Sequence, residues 1–73
     1  MNEQIEKLAL DAGLLNYVDN ETPRRYFVDG HADLEEVQKF AEMIVRECAD
    51  IATMNQYQSY TPGHYVLKHF GVE

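Results

Sequence analysis

The sequence predicts an all-α fold, a small three-helix domain with a long central helix, on three observations. The first is an amphipathic run that continues for more than twenty residues from a capping signal at Asp33. The second is a pair of shorter helical patterns, one at each end of the chain, each closed by a glycine. The third is a polar stretch between the first and second patterns, where helical periodicity is lost. The chain has 73 residues and a 45% apolar fraction. That suits one folded domain rather than a disordered segment. A chain this short buries only roughly 60% of its unfolded surface, so its core must be thin and self-association is a natural supplement.

The first segment places Ile5, Leu8, Ala9 and Ala12 on one helical face, with Asn2 as N-cap and Glu3 and Glu6 near the positive end of the helix dipole. This predicts a helix over 3–12. Gly13 then supplies a left-handed stop, with Leu14 folding back on Leu8 or Ala9. Leu10 lies off the apolar face, without a partner on its own helix.

Residues 16–32 carry the loop chemistry of Asp19-Asn20-Glu21-Thr22-Pro23. Tyr17-Val18 and Tyr26-Phe27-Val28 could pair around it as a short hairpin. An isolated two-stranded ribbon is marginal in water, so the preferred reading is an irregular connection that tucks Tyr26 and Val28 against the helices.

Asp33-Leu34-Glu35-Glu36 has the form of a capping box, Asp33 capping the Glu36 amide and the Glu36 side chain reaching back. The helix expected over 33–54 carries Leu34, Val37, Ala41, Ile44, Cys48 and Ile51 at spacings of three and four, widened by Phe40, Val45 and Ala52. This stripe is the expected core, with Ile44 and Cys48 buried. Glu35, Lys39, Glu42, Arg46 and Asp50 lie opposite, with Arg46 spaced to pair with Glu42 and Asp50. A third helix over 62–70 starts at Thr61-Pro62, a cap followed by proline at the first helical position. It carries Val66, Leu67 and Phe70 and stops at Gly71-Val72, with Val72 against Leu67.

The net charge is −7 and there is a single cysteine. Strong negative charge disfavours nonspecific binding to nucleic acid or to anionic membranes, so no direct nucleic-acid or membrane partner is expected. Cys48 can form no internal disulfide, and with no apolar run of signal-peptide or membrane-span length the chain is expected in the cytoplasm.

Spacing argues against a metal or cofactor site. His64 and His69 are five apart on one helix, and Cys48 sits among Ile44 and Ile51 as a small apolar residue. Ser59, Thr61 and His64 do not make a hydrolytic trio, because no nucleophile elbow accompanies them and capping already accounts for Thr61. No enzymatic activity is expected.

The densest cluster of binding-type residues runs from Tyr57 to Phe70. Tyr57, Tyr60, Thr61, His64, Tyr65, Lys68 and His69 surround a helix start, where tyrosine rings and free backbone amides suit a partner surface or an anion. Arg24 and Arg25, the only adjacent basic pair, would add a phosphate or carboxylate clamp if their loop reaches that end. The competing reading makes the aromatics the edge of a thin core and leaves the arginines in solvent.

Three stretches carry a resemblance. They are Met1-Asn2-Glu3-Gln4-Ile5-Glu6-Lys7-Leu8-Ala9, Lys39-Phe40-Ala41-Glu42-Met43-Ile44-Val45-Arg46-Glu47-Cys48-Ala49-Asp50 and Leu67-Lys68-His69-Phe70-Gly71-Val72-Glu73. Together they cover 28 of the 73 residues and resemble small orphan accessory proteins of tailed bacteriophages. The resemblance implies phage origin, expression in the cytoplasm of an infected bacterial host, and a non-catalytic factor that binds and disables a host or anti-phage defence component. It transfers no site residues.

One alternative is an oligomeric sponge for a nucleotide immune signal, holding phosphates between protomers through Arg24 or Arg25 and stacking bases on tyrosine. An acidic DNA mimic ranks last, because Lys39 and Arg46 interrupt the acidic face. The expected partners are a second copy of the chain, a host protein or an anionic nucleotide. The width of the apolar stripe on the middle helix, set against two short neighbours, leads to the expected homo-oligomer.

Overall fold

A computed structural model describes residues 2–20 and 22–72, and it contains three helices and a hairpin. Helix α1 is Glu3–Asp11, strands β1 and β2 are Leu15–Tyr17 and Tyr26–Val28, and helices α2 and α3 are Leu34–Met54 and Pro62–His69.

Local chemistry sets the helix ends. The Asn2 side-chain oxygen accepts from the Ile5 amide at 3.0 Å, capping α1. At the other end Gly13 has φ +81°, and the Leu14 and Gly13 amides donate to the Ala9 and Leu10 carbonyls. These are the two bonds of a Schellman stop. Gly71, at φ +67°, repeats the motif after α3, with the Val72 and Gly71 amides donating to Leu67 and Lys68. The capping box at α2 is complete: the Glu36 carboxylate accepts from the Asp33 amide at 2.8 Å, and the Asp33 side chain accepts from the backbone of the first turn. At Thr61 the backbone is extended as a cap requires, but the side chain makes no capping bond. Proline at the next position leaves one fewer amide to satisfy, so α3 starts without it.

The segment expected to be irregular forms an antiparallel hairpin, pairing Leu15 with Val28, Asn16 with Phe27 and Tyr17 with Tyr26. Its stability comes from side chains contributed by both strands. Leu15 is buried, the Tyr17 and Tyr26 rings meet edge to face at 5.9 Å, and the Arg24 guanidinium lies 4.1 Å from the Tyr17 ring centre. Cross-strand aromatic pairs and cation–π contacts each contribute about 0.5–1 kcal/mol. Asp29 closes the open end. Its amide donates to Leu14, and its carboxylate accepts from the His31 amide at 2.8 Å and from Asn16 Nδ2 at 3.1 Å. These bonds, chiefly the one from His31, hold the Asp29 carboxyl below its ordinary value. Tyr26 lies alongside α1 as expected, but Val28 does not tuck against the helices and is 65% exposed. Leu10 is half-buried and shares a groove with Tyr26, so the hairpin supplies the neighbour that α1 lacks.

Helix α1 lies antiparallel to α2. Leu8 shares a cleft with Met43, Glu47 and Ile51, while Gly13 backs onto Glu36. Helix α3 packs on the same side, where His69 Nε2 meets Glu47 Oε1 at 3.0 Å. The Asn2 side-chain Nδ2 donates to the Phe70 carbonyl, joining the start of the first helix to the end of the last. Among the described residues the buried apolar side chains are those of Ala9, Ala12, Leu15 and Phe70.

The core therefore differs from the expected stripe. No residue of α2 is fully buried: Ile44 and Cys48 are half-buried, Ala41 is exposed, and Leu34 and Val45 are open to solvent. The reason is rotation. At about 100° per residue, the Glu36, Met43, Glu47 and Ile51 face that meets α1 lies about 145° around the helix from Leu34, Ala41 and Val45. On the polar side Glu42 accepts from Gln38 at 3.0 Å, and among the described residues no ion pair joins Arg46 to Glu42 or Asp50.

Candidate functional site

The segment after α2 is shaped by Asn55, whose side chain donates to the Ile51 carbonyl at 2.8 Å and whose own amide turns back onto the last helical turn. That ends the long helix and starts a turn, with the Gln58 amide donating to the Asn55 carbonyl. Pro62 then opens α3 in a new direction. Tyr60 is thereby placed one residue before the cap position, where it can fold over the first turn of the helix.

Three rings meet there. Tyr60 stacks on His64 with centroids 4.6 Å apart and planes 29° apart, and Tyr65 stands edge-on to both, at 6.4 Å from Tyr60 and 5.2 Å from His64. The outer ring, Tyr60, remains 64% exposed, while His64 and Tyr65 are half-buried. An exposed ring held by two others presents a large apolar surface with a hydroxyl at low entropic cost. Thr61 is exposed beside it, and Tyr57, 93% exposed, adds a further aromatic side chain close by in the chain.

The remaining candidates fall elsewhere. Lys68 and His69 occupy the last turn of α3, about 10 Å along the axis from its start. His69 is committed to structure, bonded to Glu47 and edge-on to the Phe70 ring at 4.9 Å. Lys68 borders a shallow groove with Asn2, Glu3 and Gly71. Arg24 is engaged by Tyr17 in the hairpin, and Arg25 is exposed in the same segment. The expected set thus divides into an aromatic platform at the start of α3, a structural contact at its end, and a basic pair in the hairpin.

A groove of about 450 Å³ lies between α1 and the hairpin and is lined by Glu3, Glu6, Lys7, Leu10, Asp11 and Tyr26 among others. Sequence reasoning missed it, because it exists only once β2 lies beside α1; the single clue was the unpartnered Leu10. Among the described residues no group of three or more His, Cys, Asp or Glu side chains is gathered as a metal site would require, and no helix is long and apolar enough to cross a membrane. No protein-family model, curated protein or solved structure matches this chain.

Proposed function

We propose that this protein is a non-catalytic phage accessory factor that binds and disables a host or anti-phage defence component in the infected bacterium. The observation that carries the reading is the platform of Tyr60, His64 and Tyr65, in which stacked rings hold Tyr60 in place while leaving it 64% exposed. Ordered, exposed tyrosine is the side chain most characteristic of energetic centres in protein interfaces. The phage-like opening, central helix and ending of the chain supply the biological setting.

The test is plating efficiency. Bacteria carrying individual defence systems are challenged with a susceptible phage, with and without this protein expressed. Restored plating on one system that is lost in Tyr60→Ala, at equal protein level, supports the reading. No restoration on any system, and no effect on growth of the uninfected host, refutes it.

A second reading, sequestration of a nucleotide immune signal, is favoured by the Tyr60–His64 stack, since a base can add to an exposed ring as a third layer. Here Arg24 contributes only through a second chain or a rearranged hairpin, because within one chain it lies on Tyr17. Calorimetric titration with cyclic dinucleotides separates the readings: micromolar binding that Tyr60→Ala abolishes favours the sponge.

A further inference from the structure

Helix α2 carries a second apolar face that the chain itself does not cover. Leu34, Ala41 and Cys48 recur every seven residues, and Val37, Ile44 and Ile51 recur in the same way three residues behind. Together they form three consecutive a/d heptads, the spacing by which one helix seats along another. The inner column, Ile44 and Ile51, is half-buried near the α1 side. The N-terminal part of the stripe is open instead: Leu34 is 81% exposed, Val37 49% and the flanking Val45 66%, and Ala41 is exposed, whereas Cys48 is half-buried like the two isoleucines.

The shape of the whole chain shows the same deficit. Its radius of gyration is 14.5 Å, against about 11 Å for a compact domain of this length. Its accessible surface is 5716 Å², against roughly 4,700 Å² for a folded monomer of its mass. The excess, about 1,000 Å², is close to the ~800 Å² that each partner buries in a stable protein–protein interface.

We infer that the α2 face formed by Leu34, Val37, Ala41 and Val45 is the seam of a homodimer, occupied by the same face of a second copy. Two features select a second copy over another partner. A heptad stripe is self-complementary, so one helix face matches its own copy about a two-fold axis. The small side chain of Ala41, midway along the exposed stripe, also lets two helix axes approach closely. Gln38, at the edge of the stripe, is uncharged and donates to Glu42, which flanks it, while the acidic residues Glu35 and Asp50 lie farther round the helix. Two chains of charge −7 nevertheless repel at long range, so association strengthens as salt screens them. This inference does not depend on the proposed function and holds or fails separately from it.

Sedimentation equilibrium from low micromolar to submillimolar protein, under reducing conditions so that Cys48 cannot cross-link chains, tests it. The wild type is expected at about 17 kDa, twice the 8.5 kDa chain, with dissociation shifted to higher concentration at low salt. Ala41→Glu and Leu34→Lys place charge at exposed positions and are expected to sediment as monomers with unchanged helical circular dichroism. Lys39→Glu, on the opposite face, is expected to remain dimeric. If Ala41→Glu loses helicity, Leu34→Lys decides. A wild type that stays at 8.5 kDa throughout, or a Leu34→Lys variant that keeps the dimer mass, overturns the proposal.

Discussion

Replacing Phe70 by alanine tests whether the small core at the meeting of α1 and α3 is what holds the chain together. Phe70 is 6% exposed and, among the described residues, is the only aromatic that is buried, alongside Ala9, Ala12 and Leu15. Truncating a buried phenylalanine costs about 3–5 kcal/mol, the sum of lost transfer energy and the cavity left behind. A 73-residue chain has roughly 4–11 kcal/mol in total. The substitution therefore removes a large part of the stability. In a domain of this size each kcal/mol moves Tm by about 4–8 °C, so a fall of at least about 12 °C is expected. The bond from Asn2 reaches the Phe70 backbone carbonyl, which alanine retains, so the effect isolates the ring. Thermal melts followed by circular dichroism at a fixed protein concentration measure it. Tyr57→Ala is the control: at 93% exposure it should stay within about 0.5 kcal/mol of wild type. A Phe70→Ala variant melting within a few degrees of wild type would refute this account of the core.

Three further outcomes are expected. Asn2→Ala removes both the α1 cap and the tie to Phe70, whereas Asn2→Ser keeps a capping oxygen but is too short for the tie; denaturant titration should find Asn2→Ser intermediate, each step costing about 1 kcal/mol, and equality of Asn2→Ser with wild type would show the tie to contribute nothing. Gly71→Ala forces a side chain into the left-handed region at φ +67° and should cost about 1–2 kcal/mol by the same measurement, while Gly63→Ala, where a new methyl meets nothing within 4 Å and φ is not positive, should be far milder. Asp29 has a folded pKa below its unfolded one, so its contribution is present above the unfolded value, about 3.9, and is lost as pH falls through the folded value; an NMR titration of the Asp29 carboxyl should place its midpoint below that of an unstructured aspartate, and Asn16→Ala should move the midpoint upward.

All three helices, their ends and their order were legible in the amino-acid sequence, because the interactions that define them span at most five residues. The Asn2 cap, the Asp33–Glu36 capping box and the glycine stops at Gly13 and Gly71 each join groups adjacent in the chain, and all form as the residue types dictate. Thr61 shows the limit of such reasoning: its backbone takes the cap conformation, but a hydroxyl that could cap does not.

The hairpin was legible only as a possibility. Tyr17 and Tyr26 suit strands, but what makes a two-stranded ribbon persist is Leu15 buried against α1, Arg24 on Tyr17 and Asp29 bonded to Asn16, contacts between residues that chain order does not bring together. The candidate site divided for the same reason. Tyr60, His64 and Tyr65 lie within six residues across one turn and meet, whereas Arg24 depends on where a hairpin packs and does not join them.

The periodicity of α2 determined that it has an apolar stripe running from Leu34 to Ile51. Which part of that stripe is covered was decided by tertiary packing alone, since α1 and α3 are short and seat on the Met43–Glu47–Ile51 side. Hydrophobic spacing records that a helix face is to be buried; it does not record against which neighbour, and here it left Leu34, Ala41 and Val45 exposed on the single chain.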